Sequence, residues 1–434
     1  MPLSPTPGAG AGPMPDARER ERRMRAALRL AARGEWTTHP NPCVGCVIVK
    51  NGRVVGQGWH EKAGQPHAEI MALRDAQEKA RGADLYVTLE PCSHYGRTPP
   101  CAKALIEAGV GRVFAGMGDP NPAVNGKGLS MLREAGIETH CGILEKDCEW
   151  INRGYVSALR RGRPWFALKW AMSLDGKIAL KNGKSQWITS ERSRLDAQRL
   201  RARSSAIVTG VGSILRDDSR LNVRAFDLGR QPLRVVLDSK LRAPASSFVI
   251  QDAGSPTLIV AADPGQGGAQ RPAPPLPAQA QAQAQAGSPG GKSGAAPGSN
   301  PEPSETDDAA RILDQREAAL IAARPDLTVR RLKPDAQGRV DLADLAALLQ
   351  QMGVQYVLCE CGPNLSASLL QSGLVDELIV YIAPKILGAD GVDPAALPEL
   401  SELPPNAWRL AESRPIGDDL RLLCARRPDG PSEA

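Results

Sequence analysis

Three metal-ligating side chains, each at the edge of an element, constrain this chain most. His67 stands in His67-Ala68-Glu69, where a helical pattern begins. Cys92 follows Pro91 directly after the apolar run DLYVTLE. Cys101 opens a second helical pattern after SHYGRTPP. One imidazole and two thiolates give three protein ligands for Zn²⁺, and a catalytic zinc keeps its fourth position for water. A fold that serves this set has to bring two helix starts and the exit of a buried strand to one point. Zinc lowers the pKa of its water toward neutrality. Glu69, two residues beyond His67, can face the open position without ligating and pass the water's proton to a departing amine. A purely structural zinc would call for a fourth protein ligand, and His94 is the nearby candidate.

The residues around this set alternate between strand and helix patterns. Helical spacing covers 17–32, and Asn51-Gly52 between two apolar runs predicts a hairpin. Helices are expected over 67–80, 100–108, 128–135 and 145–160, with strands over 84–90, 111–117 and 137–141. This order predicts a three-layer α/β domain over 17–161. All five histidines fall in it. Cys43-x-x-Cys46 has redox or zinc spacing, but in a strand the two side chains would point to opposite faces. Cys141, Cys148, Cys359, Cys361 and Cys424 read as buried or incidental.

A second α/β pattern occupies 162–428. Its expected strands are 165–171, 206–210, 233–238, 257–262, 355–360 and 377–383, and its helices are 191–203, 342–352 and 364–372. Segment 264–308, rich in Pro, Ala, Gln and Gly, lacks the apolar residues to form a core and reads as an insertion within this domain. Residues 1–16 read as a disordered tail. With 434 residues, at roughly 100–200 per domain, two to three domains are expected. Neither a transmembrane run nor a secretory signal pattern is visible, so the chain is expected in the cytoplasm, where thiols stay reduced. The balance of 54 Lys+Arg against 48 Asp+Glu is mild for a chain that coats nucleic acid.

His-x-Glu with Pro-Cys is the signature of zinc deaminases acting on nitrogen heterocycles. More specifically, Thr38-His39-Pro40-Asn41-Pro42, Val44-Gly45, the HAE triplet, TLEPCSHYGRTPPC and Gly118-Asp119-Pro120-Asn121-Pro122 resemble the deaminase half of the bifunctional riboflavin-biosynthesis deaminase/reductase family. The resemblance implies a cytidine-deaminase-like fold. It implies His67, Cys92 and Cys101 as zinc ligands, Glu69 as the catalytic acid/base, and Asn41, Asp119 and Asn121 as substrate contacts. Cys43 departs from the pattern, which has a small residue or Asn there.

The second domain lacks G-x-G-x-x-G, so a standard Rossmann reading is unsupported. It carries Lys169 on a strand leading into MSLDGK, then Ser185-Gln186-Trp187, a helix with Ser190 as its N-cap, VTGVGSILRDD, and CECGPNLSASLL. A helix starting at Gly362-Pro363-Asn364 would present backbone N–H groups to a phosphate. These motifs resemble the reductase half of the same family, with a dihydrofolate-reductase-like fold using NADPH. The resemblance implies Ala171, Trp187, Ser213, Asp217, Ser239, Gly362, Pro363, Asn364, Leu365, Ser366, Ala367 and Ser368 as cofactor contacts. It implies Ser185, Arg201, Leu221, Arg224 and Glu360 as substrate contacts, and Lys169 and Asp217 as polar groups near the reacting ribose. Ser219 and Asn222 stand where the family has proline and threonine. Eight arginines between Arg192 and Arg224 include enough to bind phosphates, which arginine holds bidentately; the rest read as a solvated helix face.

The family implies zinc-dependent deamination of a diamino-ribosylamino-pyrimidinone phosphate, NADPH-dependent reduction of its ribosyl group, and a homodimer or tetramer through the second domain. Its partner is a small phosphorylated pyrimidine, with neither nucleic acid nor membrane. One rival is a zinc-dependent nucleic-acid base deaminase with an accessory nucleotide-binding domain, which predicts a basic patch and stacking aromatics; aromatics are only 4%. The other rival is a zinc-stabilised scaffold without catalysis.

Overall fold

Asn51 and Gly52 both take positive φ, 51° and 71°, as a two-residue hairpin requires to match the twist of its strands. They join β1 (Gly45–Lys50) to β2 (Arg53–Trp59) in the computed structural model, which describes residues 13–94, 99–265, 305–399 and 407–427, with backbone only at 305–307. The chain divides into two units, Met1–Gly162 and Arg163–Ala434.

In the first unit, β1 pairs antiparallel with β2 and with β3 (Asp84–Leu89). Strands β3, β4 (Arg112–Met117) and β5 (Glu138–Cys141) run parallel, giving the order β2-β1-β3-β4-β5. Strand side chains alternate faces. Val47, Tyr86 and Phe114 therefore pack under Met24, Ala27 and Leu30 of α1 (Ala17–Ala31). Ile48, Leu85 and Val113 pack under α2 (Ala68–Ala76), α3 (Cys101–Ala108) and α4 (Lys127–Glu134). Each large side chain so buried contributes about 1.5–3 kcal/mol. The result is the expected three-layer arrangement.

Several boundaries differ from expectation. The helix expected over 145–160 is two, α5 (Glu145–Ile151) and α6 (Arg153–Arg160). Asn152 between them is buried, and its amide binds both the N–H and the carbonyl of Cys43, at 2.7 and 2.9 Å. Fixing that loop takes precedence over continuing the helix. The helix expected over 67–80 is α-helical only to Ala76 and ends in a 3₁₀ turn. Cys43 lies ahead of β1, not within it. Of the tail read as 1–16, residues 1–12 lie outside the described residues. Asp16 caps α1 by accepting from the Glu19 N–H, and the Pro13 carbonyl accepts from Arg112.

The second unit is built on one nine-stranded sheet. Its strands are β6 (Trp165–Ser173), β7 (Ala206–Gly210), β8 (Leu233–Leu237), β9 (Thr257–Ala262), β10 (Thr328–Leu332), β11 (Tyr356–Cys359), β12 (Val375–Ala383), β13 (Trp408–Ile416) and β14 (Asp419–Arg426). Their order is β10-β9-β8-β7-β11-β6-β12-β14-β13. Strands β6 to β12 pair in parallel, and β14 and β13 close the sheet antiparallel. Val208 and Val235 face α11 (Leu342–Gln351) and α12 (Pro363–Gln371). Their neighbours Ile207 and Val236 face α8 (Val211–Asp217), α9 (Phe248–Gln251) and α10 (Glu305–Ala323). Leu200 of α7 (Glu191–Arg203) packs beside them on Leu358 and Ile379. Strands β10, β13 and β14 were not expected.

Most of segment 264–308, namely 266–304, lies outside the described residues. Its last residues, from Glu305, already belong to α10. Just past α10, Arg324 donates to the carbonyls of Asp252 and Ser255, which Arg234 of β8 also binds. This shared pair of acceptors ties the returning chain to the sheet. Among the described residues, no helix is long and apolar enough to cross a membrane.

Candidate active sites

In the first unit, His67 is the N-cap residue of α2, and Cys101 is the first residue of α3. Cys92 sits in the loop leaving β3. The His67 Nδ1 lies 3.6 Å from the Cys92 Sγ and 3.3 Å from the Cys101 Sγ. Tetrahedral zinc with its usual N and S bond lengths needs edges of about 3.5 Å, so the three atoms fit the ion. Among the described residues this is the cluster able to hold a metal, and His94 is not part of it. The start of α3 favours thiolate. The Cys101 N–H donates to the Cys92 sulfur at 3.2 Å and the Ala102 N–H to the Cys92 carbonyl. Hydrogen bonding from Cys101 and the neighbouring His67 pull Cys92 down to about 4, while Cys101 is pushed up by its hydrogen bond to Cys92 and by burial. The Cys92 sulfur raises His67 in turn, to about 9. Glu69, in the first turn of α2, is 3% exposed, and burial pushes its carboxyl up to about 7. That places it where it can both accept and return a proton near neutral pH.

Of three further residues anticipated from sequence, Asn41 reaches this centre through His60, and Asp119 and Asn121 lie in the loop after β4. Asn41 donates through its amide to the Nε2 of His60 at 3.1 Å, and the His60 Nδ1–H donates to the Pro66 carbonyl. The His60 ring stands edge-on to His67, centroids 5.5 Å apart. Asp119 is buried; burial raises its pKa, and its carboxylate accepts from the Asn121 N–H and the Tyr155 hydroxyl. Sequence reasoning missed His60, Tyr155 and Glu90. Glu90, in TLEPC, was the one inside a quoted motif. Cys43 is buried against Thr38, its thiol pushed up to about 12 by burial. It is inert and away from the ligand set.

In the second unit two cavities open at the carboxyl ends of the parallel strands, where α/β sheets bind ligands. One, of about 580 Å³, is lined by Ala171, Ser213, Asp217, Ser239, Gly362, Pro363, Asn364, Leu365 and Ser368 among others. A side chain at Gly212 or Gly362 would meet only open space. These two positions therefore form a cradle that a Cβ would fill, and α12 starts beside it with free N–H groups. The donor set and the volume suit a dinucleotide. The other cavity, of about 430 Å³, is lined by Ser185, Arg201 and Arg224, with Arg194 and Arg220. Lys169, Ala171, Ile178, Ser185, Asp217 and Glu360 line both.

Four anticipated positions lie elsewhere. Trp187 lines the second cavity rather than the first, with Arg194 stacked on its ring at 4.5 Å. Ser366 and Ala367 are buried on the inner face of α12, and Ser366 accepts from the Trp170 indole. Leu221 is packed in the core at positive φ. Gly210 of the VTGVGSILRDD motif and Arg216 of the arginine run also line the first cavity, whereas sequence reasoning missed Ile178, Asp335 and Arg339 there.

Glu360, just past β11, receives Arg201 bidentately at 2.7 and 2.9 Å and has the Lys169 Nζ at 3.8 Å. Burial acts to raise its pKa, but Arg201, Lys169 and Arg224 together hold it down at about 2. Arg220 and Arg224 form no ion pair among the described residues. Burial, then the charges of Arg201 and Arg220, lower the Arg224 pKa. An anion between them would relieve that repulsion.

Fold and sites define a two-unit enzyme, a hydrolytic zinc deaminase joined to a reductase. Residues 17–117 match the cytidine and deoxycytidylate deaminase zinc-binding region, and residues 164–266 and 302–422 match the RibD C-terminal domain. The riboflavin biosynthesis protein RibD of Escherichia coli K12 is 42% identical over 412 residues, covering 92% of this chain and 97% of its own. The structure of Acinetobacter baumannii RibD superposes with a TM-score of 0.72 at 35% identity, covering 95% of this chain and all of the other. A Thermotoga maritima diaminohydroxyphosphoribosylaminopyrimidine deaminase/5-amino-6-(5-phosphoribosylamino)uracil reductase gives 0.73 at 27% identity, covering 95% and 99%. The chain belongs to the RibD family, the bifunctional deaminase/reductases of riboflavin biosynthesis.

Proposed function

We propose that 17–161 deaminates 2,5-diamino-6-(5-phosphoribosylamino)pyrimidin-4(3H)-one and that 162–428 reduces the ribosyl group of the product to ribityl. Zinc held by His67, Cys92 and Cys101 supplies, when bound, a water activated toward the ring carbon that carries the exocyclic amine. Glu69 takes the proton of that water on its carboxylate and returns it to the leaving nitrogen, so that ammonia departs. Asn41, aligned by His60, binds the pyrimidine together with Asp119 and Asn121.

In the second unit, NADPH supplies the hydride. Ala171, Ser213, Ser239 and the stretch Gly362–Leu365 with Ser368 hold it along the first cavity. Ser185, Arg201 and Arg224 hold the substrate in the second, its phosphate between Arg220 and Arg224. Lys169 and Asp217 stand at the shared wall, where the opened sugar takes up a hydride at carbon and a proton. Glu360 keeps Arg201 and Lys169 aimed there.

The observation that carries this reading is the meeting of the two cavities at Lys169, Asp217 and Glu360, beside Arg220 and Arg224, which form no ion pair among the described residues. Mass spectrometry of products tests it. Deaminated product is expected without NADPH and ribityl product with it; deamination without reduction would reject the second unit's role.

A small pyrimidine, not a nucleic-acid strand, is the proposed substrate, and failure of single-stranded oligonucleotides to be deaminated is the check. The proposed location is the cytoplasm, which suits nine free cysteines. The proposed assembly is a homodimer or tetramer through the second unit, whose edge strand β13 is exposed along nearly its whole length. Sedimentation as a stable monomer would reject that assembly.

A further inference from the structure

We propose that Glu90 is a positioning residue of the deaminase, the group that fixes the substrate loop against the metal-ligand segment. Glu90 directly follows β3, is 3% exposed, and stands two residues before Cys92. Its carboxylate accepts four backbone N–H groups from one loop. Oε2 takes Asp119 at 3.2 Å and Gly126 at 2.9 Å, and Oε1 takes Gly128 at 2.9 Å and Leu129 at 3.3 Å. These donors bracket Asn121 and span the stretch from β4 into the first turn of α4. The same turn presses on the metal-ligand segment itself. A Cβ on Gly128 would lie 1.8 Å from the Pro91 carbonyl oxygen, so only glycine lets α4 approach this closely. One carboxylate therefore joins the chain entering Cys92 to the loop that presents Asp119 and Asn121.

The arrangement demands an anion with two acceptor oxygens. Four donors converge on it, and a neutral amide of the same shape offers one acceptor and turns two donors of its own toward backbone N–H groups. Loss of hydrogen bonds to a buried charge is costly enough to let the loop relax. The hydrogen bonds of the Glu90 carboxylate run to backbone N–H groups of this stretch. It acts on binding through Asp119 and Asn121, so the proposal rests on the reading of those two as substrate contacts.

The test uses the zinc-loaded full chain, with its own reductase activity as a control of folding and concentration. Glu90→Gln is expected to raise the KM for deamination about ten-fold or more, with kcat, zinc content and reduction unchanged. Asn121→Ala should raise the same KM, and the double variant should add little to either single one, as coupled residues do. Glu90→Asp, which keeps two acceptor oxygens, should recover part of the loss and also serves if the glutamine variant does not fold. An unchanged KM in Glu90→Gln beside a raised one in Asn121→Ala overturns the role of Glu90 and leaves the loop reading intact. An unchanged KM in Asn121→Ala removes the loop from the binding site, and both fall. Full additivity, or loss of zinc in step with activity, marks Glu90 as merely structural and also overturns the proposal.

Discussion

Glu69 of the deaminase unit is buried and Glu360 of the reductase unit, on the wall of both cavities, is largely so, yet burial holds Glu69 up at about 7 while Glu360 sits at about 2. The difference lies in their neighbours. Burial dominates at Glu69, and the charge of His67 offsets only part of it. At Glu360 burial is again the largest single influence, but Arg201, Lys169 and Arg224 together outweigh it. The first carboxyl is left able to exchange a proton near neutrality. The second is a permanent anion that arranges cations. In the proposed function the deaminase concentrates its chemistry in four side chains, His67, Glu69, Cys92 and Cys101. The reductase spreads its work over a cavity wall and leaves the reacting hydride to a cofactor.

That contrast predicts unequal sensitivity to substitution. Cys101→Ala, or removal of zinc by a chelator, should abolish deamination, a loss of about 10⁶-fold or more, the usual scale of a whole catalytic effect. Reduction of the pre-deaminated substrate should be unchanged, and parallel loss of both activities would break the comparison. Arg224→Ala should lower kcat/KM for reduction by about 10- to 100-fold, the value of a charged hydrogen bond, and leave deamination alone. A substrate analogue lacking the phosphate should not feel this substitution.

The pH dependence of stability sharpens the same comparison. Because the folded pKa of Glu360 is depressed below the ordinary 4.5, its contribution is fully present above about pH 4.5 and is lost as pH falls toward 2. The loss is about 1–3 kcal/mol. The reductase unit should therefore melt progressively lower below pH 4.5, and Glu360→Gln should flatten that slope. The smallest effect is expected at Asp175, whose carboxylate accepts from the Leu387 and Gly388 N–H groups and so holds the loop bearing Val392 near the first cavity. Asp175→Asn should raise the NADPH KM by only a few-fold, because the carboxylate acts on the cavity only through this loop and an amide keeps one of its acceptors.

Legibility followed the same division. His67, Cys92 and Cys101 could be read from sequence because metal ligation fixes residue type and spacing and each stands at an element boundary that periodicity reveals, and Glu69 could be read from its fixed place two residues past His67. Glu90 could have been found in TLEPC, but its four donors come from a loop beyond the next strand, which spacing does not show. In the reductase, Ser366 and Ala367 were grouped with Asn364, Leu365 and Ser368 as one motif, although helical periodicity sends them to different faces. Leu221 and Trp187 differ in burial, a tertiary property. Strand β10 escaped notice because it is a short edge strand carrying Arg330 and Arg331, the charges that protect such edges. Strand β13 contains Pro415, which argues against a strand except at an edge, and an edge is where it lies. The loop around Asp335 and Arg339 follows the low-complexity segment, and no motif pointed there.

The most direct test is Glu69→Gln in the full chain, assayed for zinc and with each substrate separately. The account predicts retained zinc, deamination lowered by about 10²- to 10⁴-fold, and reduction of the deaminated pyrimidine at the wild-type rate. Deamination that survives, or reduction that falls with it, would contradict the assignment of proton transfer to this one carboxyl and the independence of the two sites.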